Sequence, residues 1–87
     1  MSMRDRILTK LTEAFRPISV EVIDESDQHR GHAGVHQGRG ETHFRIRITA
    51  PRFAGKSRVE QHRLINLALS DELAAGVHAL AIEARSA

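Results

Sequence analysis

The 87-residue sequence predicts an α+β domain: a three-stranded mixed sheet with helices on one face, in the order helix, strand, strand, helix, short helix, strand. Three observations predict it. Two stretches alternate apolar and polar residues at period 2 and follow one another with only a glycine-rich segment between them, the pattern of a hairpin. Two longer stretches space their apolar residues three and four apart, the pattern of helices with one buried face. The last strand is reached only through a two-helix connection, which suits a right-handed crossover onto a parallel neighbour.

The elements follow in order. Ser2 to about Phe15 is an amphipathic helix, with Ile7, Leu8, Leu11 and Phe15 on one face and Arg4, Asp5, Lys10 and Glu13 left for solvent. Ser2 and Asp5 stand at the spacing of an N-terminal cap with an acidic first turn, and Pro17 stops the helix. Ile18 to Glu25 is the first strand, in which Ile18, Val20 and Val22 alternate with Ser19 and Glu21. Ser26 to Glu41 holds Gly31, Gly34, Gly38 and Gly40 with hardly any large apolar residue, and reads as a long mobile loop. Thr42 to Thr49 alternates again, placing Phe44, Ile46 and Ile48 opposite His43, Arg45 and Arg47, and Pro51 ends it. Ser57 to about Leu69 is the second helix, opened by a Ser57–Glu60 capping box and buried through Leu64, Ile65, Ala68 and Leu69. Ser70-Asp71-Glu72 caps and starts a short third helix, Gly76 ends it, and Val77 to Ala84 is the third strand with Leu80 and Ile82 facing in.

Composition narrows the function. A chain of this length forms one domain, here residues 1–87, and buries only about 60–65% of its unfolded surface. At 40% hydrophobic and 28% charged it is an ordinary globular composition, with no apolar run long enough to span a bilayer. The N-terminus lacks an apolar signal core, so a cytoplasmic protein is expected. The cysteine count is zero, which excludes disulfides, thiol nucleophiles and thiolate ligands from this chain. Without a P-loop, a dinucleotide fingerprint or a nucleophile motif, the chain reads as a binding module and not an enzyme. Asp24 and Glu25 are strand neighbours that point to opposite faces, so they are not a paired acid and base.

Two sets of residues remain for function. Six histidines in 87 residues is unusual, and His29, His32 and His36 fall in the glycine-rich segment. His43 lies on the polar face of its strand and reads as a surface residue. His78 opens the last strand with the parity of Leu80 and Ile82, the position of a partly buried histidine. A loop imidazole reaching toward a fixed one makes half a site for a metal or cluster whose other ligands come from a partner. The second set is basic: Lys56, Arg58, His62 and Arg63 on or beside the second helix, with Arg45 and Arg47 on the second strand. Two helices joined by a tight turn resemble a helix-turn-helix, so these residues are the candidates for nucleic acid, set against the plainer reading of a solvated basic face.

The runs Val22-Ile23-Asp24-Glu25-Ser26, Glu41-Thr42-His43-Phe44, Arg52-Phe53-Ala54-Gly55-Lys56-Ser57, His62-Arg63 and Gly76-Val77-His78-Ala79-Leu80, in this order, resemble the BolA family over nearly the whole chain after the first helix. The resemblance implies a fold similar to the type II KH domain. It also implies a monothiol glutaredoxin as partner, with which BolA-like proteins share a [2Fe-2S] cluster in iron–sulfur delivery and iron homeostasis. In bacteria it implies a transcriptional regulator of cell shape and stress responses whose helix-turn-helix region contacts DNA. His78 matches the family's C-terminal histidine, proposed as the cluster ligand on this side. The second ligand is implied to come from the loop between the first two strands, where His29 stands slightly ahead of His32, with His36 third. No loop cysteine is present, so the histidine type of the family is implied. Where the family often has Arg-His-Arg on the second helix, this chain has Gln61-His62-Arg63, and the Gly-x-x-Gly of RNA-clamping KH domains is absent. Without its partner such a chain is expected to be a monomer or weak homodimer that holds no cofactor of its own.

Overall fold

The computed structural model describes residues 2–25 and 43–86. Helix α1 spans Met3–Phe15 and strand β1 spans Ser19–Asp24. Strand β2 (His43–Thr49) is followed by a 3-10 turn at Pro51–Phe53, helix α2 (Arg58–Ala68), helix α3 (Ser70–Ala74) and strand β3 (Ala79–Arg85). The sheet has the order β1-β2-β3, with β1 antiparallel and β3 parallel to the central β2. This is the predicted α+β architecture.

Local chemistry sets the helix ends as the sequence suggests. The Ser2 hydroxyl accepts from the Asp5 amide at 3.1 Å. Ser57 and Glu60 exchange both bonds of a capping box, at 3.2 and 2.9 Å. Pro17 excludes Arg16 from the right-handed helical region, and Arg16 closes α1 at φ 46°, ψ 59°. The core then forms between the helices and one face of the sheet. Ile7, Leu11 and Phe15 of α1 and Ile65 of α2 meet Val22 of β1 and Phe44, Ile46 and Ile48 of β2, all buried. Register places Val22 beside Ile46, and Ile46 beside Ile82, so these apolar positions share one face.

One feature is new and three expectations need correction. The 3-10 turn was not expected; it swings the chain back so that Phe53 is fully buried and its ring lies 5.0 Å from that of Phe15. Ile18 lies just outside β1 and is 69% exposed, not part of the buried alternation. Ser70 caps nothing: α3 follows α2 across the single residue Leu69, whose amide still bonds Ile65. Finally, β3 begins at Ala79 and not Val77. Gly76, at φ 127°, turns the chain there, the Val77 side chain enters the core, and its amide bonds the Glu72 carbonyl at 3.3 Å.

Glu72 departs furthest from its expected place. It is 1% exposed, and its carboxylate takes Arg6 at 3.1 Å and Lys10 at 3.3 Å. A carboxylate buried this far is stable only when paired, and the two α1 cations that pair it stay partly in solvent. Lys10, expected to point away, is therefore a clamp between α1 and α3, and its pKa is raised chiefly by its bond to Glu72.

Candidate metal and nucleic-acid sites

The first candidate site lies at the end of the sheet where β2 and β3 begin. The Gly76 turn brings His78 to the start of β3, and register sets His43 beside Ala79, the next residue. The two imidazoles consequently stand side by side, ring centres 6.3 Å apart and planes inclined by 33°. Two imidazoles on one metal ion, at about 2.1 Å per bond, hold their centres roughly 5–6 Å apart. The observed separation is slightly longer than that. His78 is exposed and His43 half-buried. The expectation that His78 is partly buried is overturned by the late start of β3, since parity fixes a side chain's face only inside a strand.

His43 is the functional candidate that sequence reasoning passed over. Alternation along β2 identifies it as a polar-face residue, but its neighbour His78 stands just before β3, 35 positions away in sequence. Only the parallel register supplies that neighbour. The same end of the sheet is where residues 26–42 join β1 to β2, the Glu25 amide bonding the His43 carbonyl at 2.8 Å. His29, His32 and His36, the loop candidates, lie outside the described residues. Among the described residues no three His, Asp or Glu side chains converge as a metal site, so this end offers nitrogen donors without a complete ligand set.

The second candidate site lies at the opposite end, where β2 and β3 finish and α2 starts. Lys56, Arg58 and Arg63 are exposed and His62 is half-buried. Arg58 and His62 face Ile82 to Arg85 across a depression of about 320 Å³. Among the described residues, none of Lys56, Arg58, Arg63 and Arg85 is in ion-pair contact with a carboxylate. Arg45 and Arg47 do not join them. On the open face of the sheet Arg45 bonds Glu25 at 2.7 Å and Glu83 at 2.9 Å, while Arg47 approaches Glu83 at 3.4 Å and Glu21 at 3.6 Å. These bonds raise the Arg45 pKa and hold Glu83 below the usual carboxylate range, the Arg45 bond being the main cause for Glu83. Helix α3 is a poor recognition helix: it has five residues, begins Ser-Asp-Glu, and spends Glu72 on α1.

The family model described as BolA-like protein matches residues 11–87. The chain belongs to the BolA-like family. It is 54% identical, over 95% of its length and 89% of the relative's, to an uncharacterized protein in the cobS 5' region of Sinorhizobium sp.. To the DNA-binding transcriptional regulator BolA of Escherichia coli K12 it is 42% identical, over 94% of its own length and 73% of that protein's. The BolA domain of SufE1 from Arabidopsis thaliana superposes with a TM-score of 0.87 at 46% identity, covering 99% of this chain and 93% of that domain. The chain spans only 23% of the whole SufE-like protein 1 of that plant. The BolA-like fold thus places His78 at the start of the last strand and the basic residues around the start of α2, at opposite ends of one sheet. No helix among the described residues is long and apolar enough to cross a membrane.

Proposed function

We propose that this chain is a cytoplasmic BolA-like adaptor that holds a [2Fe-2S] cluster jointly with a monothiol glutaredoxin and its glutathione, in iron–sulfur cluster assembly, trafficking or iron regulation. The observation that carries the reading is the exposed His78 ring beside His43, at the end of the sheet to which residues 26–42 connect. The donor chemistry fits. This chain has no cysteine, so its contribution to an iron is imidazole nitrogen, and sulfur comes from the partner. His78 is the ligand on the rigid side, and the second is His29 or His32, with His36 less favoured and His43 the near neighbour. Imidazole in place of thiolate raises a cluster's potential and makes attachment on this side sensitive to pH. Anaerobic reconstitution with a monothiol glutaredoxin, followed by absorption and circular dichroism, tests the reading. The mixed-complex spectrum is expected to be lost in His78→Ala, and an unchanged spectrum overturns it.

A second reading has its own observation. The cations Lys56, Arg58 and Arg63, exposed and outside ion-pair contact among the described residues, have His62 between them, and the Escherichia coli relative is named a DNA-binding transcriptional regulator. Regulation of morphology or stress genes would run through this surface. Duplex DNA affinity is then expected to fall with salt, and Arg58→Ala with Arg63→Ala to reduce the log–log slope by about 2, roughly 0.9 for each phosphate no longer neutralised. An unchanged slope removes this surface from consideration.

A further inference from the structure

The two edges of the sheet are finished differently. On β1 the outward carbonyl of Val22 accepts a bond from the Arg4 side chain of α1 at 2.9 Å, so that edge is partly closed by the chain itself. On β3 the Ala50 amide bonds the Arg85 carbonyl at 3.0 Å, which turns the backbone groups of Arg85, and by the two-residue repeat those of Glu83 and Ala81, toward β2. The backbone groups of Leu80, Ile82 and Ala84 therefore point outward, and among the described residues nothing pairs with them. Sequence does not protect this edge either. Ala79–Arg85 has no proline and no lysine, and its one carboxylate, Glu83, is engaged on the open face by Arg45 and Arg47. Alongside the bare edge runs the 320 Å³ depression lined by Arg58, His62 and Arg85, with both arginines exposed and outside ion-pair contact among the described residues.

We propose that the outer edge of β3, with this depression, is a docking site for an acidic peptide that binds in extended form as a fourth strand. An extended peptide matches the two-residue repeat of donors and acceptors at Leu80, Ile82 and Ala84, and alternate side chains of an added strand face either side of the sheet. On the helix side they reach Arg58 and His62, and on the open side Arg85, so carboxylates are the complementary groups. Single-stranded nucleic acid fits less well. Phe15, Phe44 and Phe53 are all buried, and a nucleic-acid backbone has no alternating amide donors and carbonyl acceptors to pair with the outward groups of Leu80, Ile82 and Ala84.

The test is fluorescence anisotropy with an end-blocked, labelled ten-residue peptide of alternating Thr and Glu. Binding is expected, with a version N-methylated at every second residue weakened at least about tenfold on the methylated register facing β3, because edge pairing needs those amides. Arg58→Glu with Arg85→Glu is expected to weaken the parent peptide by a similar factor with an unchanged far-UV circular dichroism spectrum, and a Thr/Lys peptide is expected not to bind. Bound peptide should also slow hydrogen exchange at the amides of Leu80, Ile82 and Ala84. Equal binding by both N-methylated registers and the parent overturns strand addition without any variant having to fold. Failure of the acidic peptide to bind, with or without binding of a single-stranded RNA of the same length, overturns the choice of occupant.

Discussion

Arg45 and Arg47 on the open sheet face and Arg58 and Arg63 on α2 are the same kind of residue in opposite circumstances. The strand pair is held by Glu21, Glu25 and Glu83 in a ladder that ties all three strands together. The helix pair makes no ion-pair contact among the described residues and faces solvent. In sequence both sets read as basic positions open to nucleic acid. The difference teaches that a cation's availability is decided by its cross-strand neighbours and not by its own exposure pattern. A strand arginine sits about 5 Å from whatever the adjacent strand places beside it, whereas a helix arginine meets only residues three and four positions away unless another element packs there. Arg45 and Arg47 therefore belong to the architecture, and the start of α2 carries positive charge outside ion-pair contact among the described residues.

Four changes break or sharpen that contrast. The largest effect is expected where the compensated charge is also buried: Glu72→Ala should lower the unfolding free energy by about 2 kcal/mol in urea denaturation, since it removes the group that joins α3 to Arg6 and Lys10. A change within experimental error would show that the clamp is incidental. Arg45→Met comes next. It releases Glu25 and Glu83 together, and the urea midpoint is expected to fall by less than for Glu72→Ala because water reaches all three side chains.

Acid titration sharpens the contrast further. The Glu83 pKa is lowered in the folded chain, so its contribution is fully present above the usual carboxylate value near pH 4.5 and is lost as pH falls through the lower folded value. The stability difference between the parent and Glu83→Gln should accordingly be constant near neutrality and close below about pH 4.5, as followed by thermal melts across pH. Constancy down to about pH 2 would assign the difference to packing, not charge. Last and smallest, Arg58→Ala with Arg63→Ala should move the urea midpoint little, because neither arginine is in ion-pair contact among the described residues and Arg63 acts on the exposed Glu60 only at a distance. A clear loss of stability would mean that these cations are structural after all.

Much of the fold is written in local pattern. Both hydroxyl caps, the stop at Pro17 and the alternation of Val22, Phe44, Ile46 and Ile48 are statements about neighbours within four residues, and the structure agrees with them. Local pattern misleads where a residue's environment comes from a distant segment. Glu72 resembles an ordinary first-turn acid because nothing nearby in sequence shows that Arg6 and Lys10 will cover it. Ile18 satisfies the alternation but falls one residue short of the paired strand, where the core no longer reaches. The family motifs mark His78 as a residue of interest, but its surroundings differ from those expected because Gly76 delays β3 by two residues.

Residue order alone settles the element order, the helix caps, the buried faces, the family and the absence of thiolate ligands. Each of these depends on residue type and short-range periodicity, which survive without coordinates. Tertiary structure alone decided which charges are compensated, that His43 and not a residue of its own strand stands beside His78, and that β3 presents a bare edge while Arg4 partly closes β1. Those facts depend on the β1–β2 and β2–β3 registers and on the packing of α1 against α3. Such contacts join positions tens of residues apart, and no local pattern encodes them.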